Sequence, residues 1–295
     1  MIYRLDPTWQ IELSDLETKL QDNKFTECGA SQQKSVGWLE PRGEQFGPLV
    51  ESIASQWILK LQIETKSVPT SVVKRQLDKV IAEVQKTTGR KPGKKEQKDI
   101  RDDLILSLLP QAFAKQSQVL IWIDQQNGFL FTDASSQAKS DEVMTLLVNS
   151  IPGFSAMLLQ TQTAPQSAMA QWLLAQSADE LPVAFVVGKE CLLKSSTEEK
   201  SMVKFTRHNL STDEVKKHVQ EGKMPQQLAL NWEGKVDFLL TDTLQLKKIK
   251  PEEDNTDKGT DTKQDAFDAN IVLNMGVLGP MVIDLIEALG GEMPS

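Results

Sequence analysis

Cysteine, histidine and tyrosine are nearly missing from this chain of 295 residues, which holds two Cys, two His and one Tyr. Cys28 and Cys191 lie far apart, so a disulfide framework is not expected and a reducing compartment fits. His208 and His218 stand ten apart with neither Cys nearby, which is not the spacing of a zinc site. G-x-S-x-G does not occur, and nothing places a His beside a Cys in a known nucleophile pattern. No metal, no cofactor and no catalytic residue is therefore expected. Apolar runs fall short of the roughly 18 to 20 residues of a membrane span, and MIYRLDPTWQ has no signal-peptide core. The expectation is a cytoplasmic protein with no membrane partner.

Charge is present but unevenly placed. The formal net charge is −8, yet Lys60 to Arg101 contains twelve bases and five acids, +7 in all, which leaves −15 for the remainder. The densest part is 86-KTTGRKPGKKEQKDIR-101, with seven bases and two acids. The opposite sign gathers in 251-PEEDNTDKGTDTKQD-265, which reads as an acidic loop. Such asymmetry suggests a polyanionic partner, whereas the bland alternative is a merely solvated face.

Apolar periodicity puts Val73, Leu77, Val80, Ile81 and Val84 on one face of a helix over 72–86, entered after Pro69 with Thr70 or Ser71 as its cap. Gly89, Pro92 and Gly93 interrupt it. A second helix runs from about Lys94 to Leu109, with Ile100, Leu104, Ile105, Leu108 and Leu109 inward and Pro110 closing it. The two form a helical hairpin tipped by TTGRKPG. Lys94 and Lys95 occupy the first turn of the second helix, where the macrodipole disfavours cations by a few tenths to about 1 kcal/mol. An external anion accounts for that choice better than helix stability does.

Further along, 118-QVLIWIDQQNGFLFTDA-134 is two strands around Asn127-Gly128. Helices are expected over 138–151 and 168–177, and a buried strand over 182–188. Ser211 to Glu214 form a capping box for a helix that Gly222 ends. The strands 228–232 and 236–242 meet across Glu233-Gly234, and TLQLKKIK extends the meander. A strand over 271–275 and a closing helix over 277–291 complete the chain. The class is α+β: antiparallel sheets, packed helices and a protruding helical-hairpin finger. Residues 1–68 and 110–165 make a central α+β domain, 69–109 the finger, and 166–295 a second α+β base region.

Gly89 to Lys95 approximates a phosphate-binding loop, but its glycines are four apart and Lys95 stands where Ser or Thr would hold magnesium. Asp237, Gln245 and Lys247 are compatible with a permissive Mg²⁺-nuclease pattern, which outward polar residues of a meander also produce. Duplex-DNA binding without sequence preference is the positive candidate. Lys and Arg release counterions from phosphates, and no Phe, Tyr or Trp lies between Trp57 and Phe113 to stack single-stranded bases. The candidate DNA contacts are Lys74, Arg75, Lys79, Lys86, Arg90, Lys91, Lys94, Lys95, Lys98, Arg101 and Lys115. A protein-interaction scaffold with a solvated hairpin is the third alternative.

Several blocks resemble the recombination-associated protein RdgC family: YRL at Tyr3 to Leu5, Cys28-Gly29, Gly37-Trp38, LLPQAFAK at Leu108 to Lys115, WIDQQNG, LSTDE, LALNW, FDANIVLNMG and LIEALGGE. They run in order along almost the whole chain. The resemblance implies a non-catalytic, nucleoid-associated protein forming a ring-shaped homodimer around duplex DNA and restraining RecA-driven strand exchange. It places Phe113 at one dimer interface, Arg207 and His208 at the other, and equates the basic hairpin with the family's finger.

Overall fold

A computed structural model describes residues 1–195, 201–251 and 263–294. The first sheet collects β1 (Ile2–Leu5), then, after α1 (Leu13–Gln21), the strands β2 (Lys34–Leu39), β3 (Val50–Ile53) and β4 (Gln56–Lys66). The finger helices α2 (Thr70–Thr88) and α3 (Lys94–Leu108) follow, and the chain returns through β5 (Ala114–Asp124), β6 (Phe129–Thr132), α4 (Gln137–Ser150) and β7 (Ala156–Leu158). The order is β2-β4-β5-β6-β1-β7, with β3 also pairing β4 and every pairing antiparallel. β4 and β5 pair over eleven residues, from Gln56 opposite Asp124 to Lys66 opposite Ala114. Helices α2 and α3 connect the two strands at the Lys66–Ala114 end of that ribbon.

The second sheet is built after α5 (Pro165–Leu174) from β8 (Phe185–Ser195), β9 (Met202–Thr206), α6 (Asp213–Gln220), β10 (Lys223–Trp232), β11 (Val236–Thr241) and β12 (Leu246–Pro251). Its order is β12-β11-β10-β8-β9, also antiparallel. The chain ends in α7 (Lys263–Ala288). Alternation on β4 sends Trp57, Leu59, Leu61 and Ile63 into a core with Leu16 and Leu20 of α1 and Val143 and Leu147 of α4. Ile58 on the other face meets Ile271 of α7. A larger core joins Ile2, Phe129 and Phe131 of the first sheet to the second sheet, α5, α6 and the end of α7.

The loop before β2 is pinned by buried polar groups. Glu64 accepts from the Cys28 amide at 2.8 Å and from Gln116 Nε2 at 2.7 Å, while Lys66 Nζ donates to the Cys28 and Gly29 carbonyls. Close approach is possible because residue 37 is glycine: a Cβ there would stand 2.4 Å from Phe25 Cα.

Five expectations change. The segment 271–275 is helix within α7: Ile271, Val282, Leu285 and Leu289 recur at helical spacings on its buried side, which overrides the β-branched run. Thr70 and Ser71 lie inside α2, whose N-cap is Pro69; the ring sets its φ to −56° and no side chain caps the helix. The capping box at Ser211 to Glu214 does not form. Thr212 is the N-cap, but its hydroxyl donates to the Asn209 carbonyl instead. The helix expected over 168–177 is Pro165–Leu174, because Pro165 suits a first turn. The strand expected over 182–188 begins at Phe185 and leaves Val183 and Val186 exposed, so only Phe185 of that run is buried. Of the acidic segment 251–265, residues 252–262 lie outside the described residues, and from Lys263 the chain is helical. Helix α7 contains a 22-residue stretch, Phe267–Ala288, long and apolar enough to cross a membrane. Met281, Val282 and Leu285 near its end are buried in the shared core, while most of the stretch is not buried.

Candidate nucleic-acid interface

The finger has a narrow apolar seam and little else inside. Val73 is the only buried residue of α2, and α3 has none. Leu77, Val80, Ile81 and Val84 face Ile100, Leu104 and Ile105 half-buried, the minimum that keeps two helices together. The tip is fixed by local chemistry. Gly89 takes the left-handed conformation (φ 71°) and returns its amide to the Gln85 carbonyl. Glu96 accepts from the Gly93 amide at 3.4 Å and from Arg90 Nη1 at 2.9 Å, and the Arg90 bond holds its carboxyl below the usual range.

All eleven candidate cations are exposed. Arg90 alone among them makes an ion pair, with Glu96. The other ten have none within 4.0 Å among the described residues, although Lys74/Asp78, Lys79/Glu83, Lys95/Asp99 and Lys98/Asp102 stand four apart on their helices. In each of these the base precedes the acid, the weaker order for such a pair. Helical spacing gathers Arg75, Lys79 and Lys86 along one side of α2, and Lys94, Lys98 and Arg101 along one side of α3. Asp99 and Asp103 fall on a different side of α3, whereas Asp102 borders the basic side one turn after Lys98. Lys115 sits off the finger on β5, opposite Thr65 of β4.

Phe113 is 95% exposed at the finger's root. The ring therefore takes no part in the core of the chain. Arg207, exposed with φ 54°, and His208 follow β9, the edge strand of the second sheet. The His208 ring stacks on Phe205 at 5.2 Å, and its amide donates to the Lys189 carbonyl. The structure thus brings the finger cations together, and leaves Phe113 and Arg207–His208 as separate surfaces.

Asp237 lies on β11 opposite Lys250 and accepts from Asn231 Nδ2 at 2.8 Å, while Lys247 opposes Leu239. Gln245 falls in the turn before β12, its amide bonded to Thr241 Oγ1. No group of three or more His, Cys, Asp or Glu that could hold a metal occurs among the described residues. Both cysteines are free and buried, and burial pushes the Cys191 thiol up to about 12. Charge counting took Glu96 as one acid among five and missed its bond to the tip backbone. Its signal was the Gly-x-x-Glu spacing of a capping box.

A family model described as "Putative exonuclease, RdgC" matches residues 1–292. A protein of Herminiimonas arsenicoxydans called recombination-associated protein RdgC is 38% identical over 294 residues, 99% of this chain and 96% of that protein. Proteins with the same name from Janthinobacterium sp. (strain Marseille) and Dechloromonas aromatica (strain RCB) are 36% and 34% identical, each covering 99% of this chain and 97% and 96% of their own length.

Proposed function

The chain belongs to the RdgC family, and from that premise we propose that it is a non-catalytic protein that binds duplex DNA without sequence preference. The observation that carries this reading is a helical hairpin with nine exposed cations that form no ion pair with a described acid, unaccompanied by any aromatic. Unpaired Lys and Arg give up little on meeting phosphate, and each contact releases counterions. Without stacking rings or a base-reading helix the finger follows the backbone alone.

The partners in this reading are double-stranded DNA and a second copy of the chain. Two copies meet at Phe113 and again near Arg207 and His208, closing a ring through which the duplex passes. An exposed Phe113 supports the first contact, and an open edge at β9 supports the second. A closed ring stays on circular DNA although single Lys–phosphate contacts are weak, because leaving requires an interface to open. Occupying the duplex at the nucleoid in the cytoplasm, it obstructs RecA filament growth and strand invasion.

Raising salt after loading tests encirclement. The protein should persist on closed circular DNA and run off linear DNA of the same length, and equal loss from both would sink the ring. Phe113→Ala should leave the unfolding free energy within about 0.5 kcal/mol of wild type and remove the topological difference.

The family description raises a second reading, nuclease action through Asp237, Gln245 and Lys247. Supercoiled DNA incubated with the protein and Mg²⁺ should remain un-nicked. Nicking that disappears in Asp237→Ala would replace the binding-only reading.

A further inference from the structure

The C-terminal helix carries a surface that DNA binding leaves unused. Ala269, Val272, Leu273, Gly276, Pro280 and Ile283 recur every one to four residues on one exposed face of α7, with Val272 46%, Leu273 64% and Ile283 46% exposed. The opposite side, through Ile271, Met281, Val282 and Leu285, is buried. From Val272 to Ile283 the stripe runs about 17 Å along the axis, an apolar face of the kind that marks an interaction site.

The charges of the helix narrow what can cover it. Between Phe267 and Ala288 the only charged residues are Asp268, Asp284 and Glu287, all acidic. Nucleic acid and anionic lipid find no counter-charge there, and a surface-lying membrane helix ordinarily brings Lys or Arg. The sequence just before the helix, Glu252 to Thr262, contains no apolar side chain to lay over the stripe. The stripe does fit itself. Turned antiparallel about a point between Gly276 and Pro280, two copies set Leu273 of each against Ile283 of the other. Gly276, beside which a Cβ would meet nothing within 4 Å, then faces Pro280. The protruding Leu273 falls beyond the flat centre, and Glu287 comes opposite Ala269 rather than its own copy.

We propose that this face of α7 is a self-association surface, packing antiparallel on α7 of a second copy. It is independent of the finger and of the contact assigned to Phe113. The stripe is smaller than the roughly 800 Å² per partner of a standard interface, so it adds to other contacts between copies rather than replacing them.

Cysteine cross-linking reads the geometry directly. Leu273→Cys and Ile283→Cys proteins, mixed and oxidised with copper phenanthroline, should yield a covalent dimer at least about tenfold more than either variant alone. Within the pair, like residues stand ten positions, about 15 Å, apart along the axis. The native Cys28 and Cys191 are buried and supply little background. Equal yields from mixed and single variants would overturn the antiparallel contact. Val272→Glu, an exposed position of the same face, introduced into the Leu273→Cys protein, should abolish the cross-link to Ile283→Cys with circular dichroism unchanged. Flotation with vesicles containing 30% phosphatidylserine covers the remaining occupant: wild-type protein that floats, and Leu273→Glu that does not, would assign the face to lipid and reject self-association.

Discussion

The finger and the body handle cations in opposite ways. In the body, acids meet many of them: Lys24 pairs with Glu40 at 2.8 Å, Arg42 with Glu51 at 3.1 Å and Asp268 at 2.7 Å, and Glu190 receives Lys204 and Lys248. On the finger only Arg90 is paired, and it serves to shape the tip. The body also buries a continuous core, whereas the finger helices bury one side chain between them. Burial and unpaired charge are thus separated: the body holds the core, and the hairpin holds exposed cations.

That separation can be broken from either side. Replacing Lys91, Lys94, Lys95 and Lys98 by Gln should have the largest effect. DNA affinity should fall on the order of a hundredfold at low salt, and the slope of log K against log salt should shrink by up to about 3.6, or 0.9 for each of four contacts. Titrations at several salt concentrations measure both, and the urea midpoint should not move. Gly37→Ala is the converse. Its Cβ would stand 2.4 Å from Phe25 Cα and 2.6 Å from Phe25 N, both backbone atoms, so the loop must lift away. A loss of about 1–3 kcal/mol is expected by urea denaturation, with the salt slope of the folded fraction unchanged.

Two smaller effects sharpen the contrast. Gln116 and the Cys28 amide hold the Glu64 carboxyl below its ordinary 4.5. A carboxylate depressed in the folded state contributes stability above its unfolded value and loses it as pH falls through the folded one. The body should therefore lose stability below about pH 4.5 more steeply in wild type than in Glu64→Gln, a difference that urea midpoints at pH 3 to 7 would expose. Smallest of all, Glu96→Gln releases Arg90 and should raise the salt slope by no more than about 0.9; a fall instead would mean that the tip's shape matters more than its charge.

Much of this was readable in the sequence because it is local. The period-3.6 pattern located both finger helices, Gly89 and Gly93 located the tip, and Asn127-Gly128 and Glu233-Gly234 located two hairpins. Misreadings came where a local pattern met a nonlocal partner. Residues 271–275 look like a strand alone and are helical because Ile271 packs on Ile58 of β4, more than two hundred residues earlier. Ser211 to Glu214 have the letters of a capping box, yet Asn209 takes the Thr212 hydroxyl. Within the candidate interface the eleven cations were legible, but the tip acid Glu96 was not, since it was counted as charge rather than as a cap.

What the sequence by itself determined is the placement of sign and period: a basic hairpin without aromatics, set in an acidic chain of hairpins and helices. Only the tertiary structure decided that the hairpin's cations other than Arg90 meet no described acid, that Phe113 stands in solvent, and that α7 buries one apolar side while exposing the other. The physical reason is that pairing and burial depend on which distant groups come within a few ångströms, whereas charge and helical period are properties of neighbours along the chain.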